Sequence, residues 1–94
     1  MTTEAEVYDA LRYRVTVDRY GTHRYYNGAG QLHREDGPAI IFPYGAGVWY
    51  QNGLQHRVDG PAVEGADGSK RWFQNGVLQR EDGPVVLWSC GREE

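Results

Sequence analysis

The sequence predicts an all-β protein, built from tandem antiparallel β-hairpins that form one elongated, twisted sheet. Three observations carry that prediction: an internal repeat, glycine-centred turn signals at regular intervals, and short alternating apolar segments between them. The tripeptide Asp-Gly-Pro recurs at Asp36, Asp59 and Asp82, two steps of 23 residues. Repetition at such a period marks stacked copies of one supersecondary unit. Arg34, Arg57 and Arg80 stand two residues before each Asp, and Gly30, Gly53 and Gly76 six before. Gly45, Gly68 and Gly91 follow nine after.

The N-terminal segment comes first. Thr3 and Glu6 have capping-box spacing and Val7 and Leu11 would share a helical face, so a short helix and an extended arm both fit. "LRYRVTVDRYGTHRYYNG" then reads as a degenerate half unit: a strand, a turn at Tyr20-Gly21 and an aromatic strand. Terminal repeats are expected to be atypical. The chain thus divides, within one domain of 1–94, into a cap and half repeat over 1–24 and units over about 25–47, 48–70 and 71–94. In the first unit Asn27-Gly28 comes early. Aligning Tyr25 with Trp49 and Trp72, and Tyr26 with Tyr50 and Phe73, implies a first turn one residue longer.

Inside a unit, Tyr44-Gly45 and Asp67-Gly68 suit two-residue type I′ turns. That register sets Ile41 opposite Val48, Ile40 opposite Trp49, Glu64 opposite Arg71 and Val63 opposite Trp72. Alternation along the strands then puts the tryptophans on a dry face and Tyr26, Tyr50 and Phe73 on the other. The Asn-Gly turns and the corners Asp36-Gly37-Pro38, Asp59-Gly60-Pro61 and Asp82-Gly83-Pro84 pass the chain between hairpins, since Gly admits left-handed backbone and Pro fixes φ.

Bulk properties narrow the function. Ten Lys plus Arg against thirteen Asp plus Glu leave a net charge of -3, which does not supply the basic field a phosphate backbone requires. Nucleic acid is not the expected partner. Cys90, the single cysteine, admits no internal disulfide and fits a reducing cytoplasm as a structural thiol. No segment approaches the roughly 18 apolar residues of a membrane span, and the N-terminus carries acids where a signal peptide carries bases. A cytoplasmic location is expected.

Catalytic and metal chemistry find little support. His33 and His56 are repeat equivalents, but Gln79 fills the third position and no Cys or paired acid joins them at ligand spacing. His23 stands at a strand end. Glu35-Asp36 and Glu81-Asp82 recur by repetition and lack a nucleophile or base beside them. No enzyme activity, cofactor or metal is expected. Arg34, Arg57 and Arg80 suit pairing within the corners, with a ligand-gripping row as the alternative. The row Tyr26, Tyr50 and Phe73 is either a second core layer or a binding strip, and single-stranded nucleic acid stacked on it is a third reading.

"WYQNGLQHRVDGPAVEGADGS" and "WFQNGVLQREDGPVV" resemble MORN-type repeats, in a variant with His-Arg-x-Asp-Gly-Pro-Ala corners seen in small phage and bacterial proteins. The resemblance covers about Tyr25 to Trp88. It implies stacked hairpins in one long sheet and binding of proteins or, in some members, lipid; it brings no catalytic residues. It assigns structural roles to Tyr25, Trp49 and Trp72 and to Gly28, Gly53 and Gly76. The Arg-x-Asp-Gly-Pro corner departs from the usual Gly-rich one, and the Lys-poor surface disfavours lipid.

The sequence therefore leads to a non-enzymatic protein-binding module using Tyr26, Tyr50, Phe73, Arg34, Arg57 and Arg80 toward a partner. The "HREDGPA" variant resembles phage accessory products, which implies occlusion of a bacterial defence complex, as by an anti-CRISPR. The rival expectation is a structural, self-assembling protein, or a homodimer paired through the edge strand around Val85 to Trp88.

Overall fold

The computed structural model describes residues 13–89 and, as backbone alone, residues 5–8. They form twelve short strands: β1 (Ala5–Tyr8), β2 (Arg14–Val17), β3 (His23–Tyr26), β4 (Ile40–Ile41), β5 (Gly47–Val48), β6 (Tyr50–Gln51), β7 (Leu54–Gln55), β8 (Val63–Glu64), β9 (Lys70–Arg71), β10 (Phe73–Gln74), β11 (Val77–Leu78) and β12 (Val86–Leu87). Among the described residues there is no helix. Eight strands make an antiparallel sheet in the order β1-β2-β3-β4-β5-β8-β9-β12, while β6-β7 and β10-β11 are separate hairpins. The molecule measures 42 × 25 × 20 Å.

At the N-terminus the extended alternative holds over Ala5–Tyr8, which pairs with β2 from Ala5↔Val17 to Tyr8↔Arg14. The helical reading fails there because the alternating β2 offers that segment a complete strand partner. Thr3 and Leu11 lie outside the described residues, as does Cys90.

The hairpin turns differ from the expected type, and the register with them. Gly65 N–H donates to Ser69 O (2.8 Å) and Gly68 N–H to Gly65 O (3.0 Å), closing a three-residue loop with only Gly68 left-handed, at φ 91°. Phe42–Ala46 closes identically around Gly45 at φ 101°, and Asp18–Thr22 around Gly21 at φ 90°. A type I′ turn at Tyr44-Gly45 would need positive φ at the bulky Tyr44. Pro43 instead starts a right-handed turn in the position that its fixed φ prefers. The extra loop residue shifts each pairing by one: Ile40 faces Val48, Ile41 faces Gly47, Val63 faces Arg71 and Glu64 faces Lys70. A slip of one exchanges the faces of every side chain relative to its neighbour strand. Trp49 and Trp72 therefore do not face Ile40 and Val63.

The type I′ geometry occurs instead at the Asn-Gly turns, with φ 50° and 84° at Asn52-Gly53 and 51° and 80° at Asn75-Gly76. The first unit has the longer turn that its alignment implies, closed by Asn27 N–H to Gln31 O (2.9 Å) with Gly30 left-handed.

What the tryptophans meet across the sheet is alanine. The backbone amides of Tyr25, Trp49 and Trp72 donate to Ala39 O, Ala62 O and Val85 O at 2.8, 2.6 and 2.9 Å. Extending the registers by one residue gives a rung that alternates large and small: Tyr25, Ala39, Trp49, Ala62, Trp72. Ala39 and Ala62 are completely buried, and Tyr13, Val15 and Val86 complete the core with them. A methyl is what fits between two strands that each carry a large aromatic less than 5 Å away. Among the described residues no large side chain is fully buried, as a sheet one layer thick requires.

The first loop is held by a carboxylate. Asp18 accepts the amides of Tyr20 (2.9 Å) and Thr22 (3.1 Å) on one oxygen and Arg24 Nη1 (3.0 Å) on the other. Desolvation raises the Asp18 pKa, but the Thr22 amide, Arg24 and the Tyr20 amide outweigh it and hold the group below its ordinary value. A depressed folded pKa stabilises the fold above the ordinary carboxylate range, and that contribution disappears as pH falls through the folded value. Urea midpoints of the wild type and Asp18→Asn should therefore differ most at neutral pH and converge between about pH 5 and pH 2. A gap that stays constant with pH would refute the assignment.

Candidate functional site

The three corners have one construction. Arg34 Nε donates to Asp36 Oδ1 (3.0 Å), its Nη1 donates to Pro38 O (3.3 Å), and its guanidinium lies 4.0 Å from the centre of the Tyr25 ring. Arg57 repeats this with Asp59 (3.0 Å), Pro61 O (3.1 Å) and Trp49 (3.9 Å). Arg80 does so with Pro84 O (3.0 Å) and Trp72 (3.8 Å), while its Nε stands 3.3 Å from Asp82, within ion-pair reach but off the hydrogen-bond line. The opposite face of each guanidinium is closed by glycine backbone. A Cβ at Gly37, Gly60 or Gly83 would come within 2.9, 2.8 or 2.7 Å of the arginine Cζ. Each arginine is thus sandwiched between an aromatic ring and a glycine, with its edge bonded to carboxylate and carbonyl. Lysine offers neither the plane nor the fork.

Of the residues expected to meet a partner, the arginines are therefore held within the corners, and Arg57 also reaches Glu64 at 3.5 Å. Asp36, Gly37, Pro38 and their equivalents at 59–61 and 82–84 form those same corners.

A second set of bonds joins successive units. Arg34 and Arg57 amides donate to Tyr50 O (3.1 Å) and Phe73 O (3.2 Å), and Gly53 and Gly76 amides donate to Leu32 O and Gln55 O, both at 2.8 Å. The histidines take part: Asn52 N–H donates to His33 Nδ1 (2.9 Å) and Asn75 N–H to His56 Nδ1 (3.0 Å). Both side chains thus receive the Asn-Gly turn of the following unit. Among the described residues no three His, Cys, Asp or Glu gather as a metal site would require. No helix among them is long and apolar enough to cross a membrane.

Tyr26, Tyr50 and Phe73 are half-buried at equivalent places on the hairpins. Opposite them stand Leu32, Gln55 and Leu78, so the three pairs make one strip of aromatics beside two leucines and a glutamine, whose Nε2 donates to the Tyr50 hydroxyl (3.5 Å). Arg14 lies 4.6 Å from the Tyr26 ring at one end, and Leu78, 43% exposed, closes the other. On the reverse side an open groove of about 540 Å³ runs between the second and third corners, floored by Trp72, Gln74 and Gln79 and rimmed by Asp59, Glu81 and Asp82.

Several contributors were not singled out from sequence. The Tyr13 hydroxyl accepts the Glu35 amide (2.9 Å), and its ring meets Tyr25 edge-on with centroids 6.1 Å apart. Ala39 and Ala62 carried a signal in the repeated "DGPA", visible as a small residue ten positions before Trp49 and Trp72. No protein-family model, curated protein or solved structure matches this chain.

The sandwich predicts two matched losses. Arg57→Lys keeps the charge yet gives up the stacked plane, and Gly60→Ala drives a methyl into a pinned guanidinium; each should cost about 1–3 kcal/mol in urea unfolding. Losses of both variants below about 0.5 kcal/mol would sink the sandwich as a structural element.

Proposed function

We propose that this protein is a non-enzymatic protein-binding module of MORN type, which engages its partner through the strip Tyr26, Tyr50, Phe73 and Leu78. The observation that supports this reading is the state of the side chains. Arg34, Arg57 and Arg80 each hold a proline carbonyl inside a corner and His33 and His56 each accept an Asn amide, while the strip remains a half-open aromatic row with an exposed leucine at its end. Large rigid aromatics, tyrosine among them, are residues that anchor protein interfaces. The groove behind the strip is open and lacks a nucleophile or convergent base, and its carboxylates stand in solvent.

The resemblance of the "HREDGPA" corners to small phage proteins extends the proposal to the kind of partner: a bacterial defence complex, occluded as an anti-CRISPR would occlude it. Such a role needs contact area and no chemistry.

The test is affinity capture from bacterial lysate with the wild type, Tyr50→Ala/Phe73→Ala, and Val58→Ala as an exposed control, each checked for fold by circular dichroism and for mass by light scattering. A stoichiometric partner should be retained by Val58→Ala and held at least tenfold less tightly by the double variant, the effect of losing about 1.4 kcal/mol. Equal capture by all three proteins would reject the strip as the binding surface.

A further inference from the structure

Each unit receives the next through the same three groups. In the first they are Leu32 O, Arg34 N–H and His33 Nδ1; in the second, Gln55 O, Arg57 N–H and His56 Nδ1. What they receive is also the same: an aromatic carbonyl, then the two amides of a left-handed Asn-Gly pair, from Tyr50 to Gly53 and from Phe73 to Gly76. The third unit repeats the two backbone groups as Leu78 O and Arg80 N–H, with Gln79 in the histidine's place, a longer side chain whose Oε1 is also an acceptor. Among the described residues nothing bonds Leu78 O, Arg80 N–H or the Gln79 side chain, and Gln79, Val77 and Leu78 are exposed.

We propose that this last edge is a receptor slot for a β-hairpin from another protein, carrying an aromatic-x-Asn-Gly type I′ turn. The chain fills the slot twice within itself, which fixes the ligand's geometry: the aromatic carbonyl on Arg80 N–H, the Asn amide on Gln79 and the Gly amide on Leu78 O. Apolar contact adds to this. Leu54 lies against Gly76 in the filled second slot, 3.4 Å from where a Cβ would be, and Val77 holds the same position in the open third. A second copy of this chain does not offer the ligand. Its two Asn-Gly turns are already docked on His33 and His56. Its first turn spends the Gly30 amide internally, on Asn27 O at 3.0 Å. The slot meets the strip only at Leu78, using its carbonyl rather than its side chain, and does not depend on that strip.

The probe is a synthetic, fluorescein-labelled peptide copying Ser69 to Glu81, titrated with the full chain and followed by anisotropy. Saturable binding is expected. Gln79→Ala should weaken it about fivefold, the loss of one hydrogen bond, and Gln79→His should tighten it by restoring the acceptor of the first two slots. A peptide with Asn75→Ala and Gly76→Ala, which cannot hold the turn, should not bind. Because Gln79 is exposed, these variants are expected to keep the fold, and circular dichroism checks it. No saturable binding, or binding indifferent to residue 79, would overturn the slot. A doubled mass by light scattering that Leu78→Lys returns to monomer would also overturn it, by showing the edge taken by a second copy. Tyr50→Ala/Phe73→Ala separates the two proposals: loss of lysate capture with peptide binding intact speaks to the strip alone.

Discussion

A guanidinium held between an aromatic ring and a glycine is the contact on which each unit turns. The corner must reverse the chain and deliver a small residue beneath the next aromatic, and a loop of Asp, Gly and Pro has no apolar mass to do this by burial. Arginine supplies it in one side chain. Its face stacks on Tyr25, Trp49 or Trp72, and its fork holds the Pro carbonyl and the Asp carboxylate. The pairs with Asp59 and Asp82 are too exposed to contribute much alone. The value of the carboxylate is orientation: it fixes the plane of a cation whose stacking is largely desolvated. This is why the requirement falls on arginine, and why glycine rather than alanine follows the aspartate.

With its corners so fixed, the molecule grows by addition of units rather than around one centre. The buried residues are small or peripheral, and each hairpin is stabilised by what its neighbour presents. Such an assembly behaves as a sum of units and interfaces. Its ends are therefore the places where the pattern must change. At the N-terminal side β1, β2 and Tyr13 pack beside the first unit, and its turn has three residues. At the other side Val85 stands where the earlier corners have a fully buried alanine, and the third arginine sits less squarely on its aspartate.

The fold class was legible in the sequence because hairpin turns are short-range events: the glycine at each turn, the Asn-Gly pairs and the longer first turn all follow from local sterics. The strand register was not. Whether Gly45 and Gly68 end a loop of two or three residues depends on the residues before them, Pro43 and the Asp67 carboxylate that accepts the Ser69 amide. One residue there reassigns every cross-strand partner, so Glu64 meets Lys70 and Arg57 rather than Arg71. Of the site, the aromatic row Tyr26, Tyr50 and Phe73 was visible as a repeat, whereas its partners Leu32, Gln55 and Leu78 needed the register.

By itself, then, the sequence determined what is encoded within a few residues: that the chain is all β, where it turns, and that arginine, aspartate and an aromatic belong together at each repeat. The tertiary structure decided what depends on contacts between units. Only there did the histidines become acceptors for the next Asn-Gly turn, alanine become the floor under tryptophan, and Gln79 stand in the histidine's place with no partner among the described residues. Local sterics choose a turn from the residues in it, but the bonds that join one hairpin to another, 19 residues away for His33 and Asn52, exist only once the turns have brought them side by side.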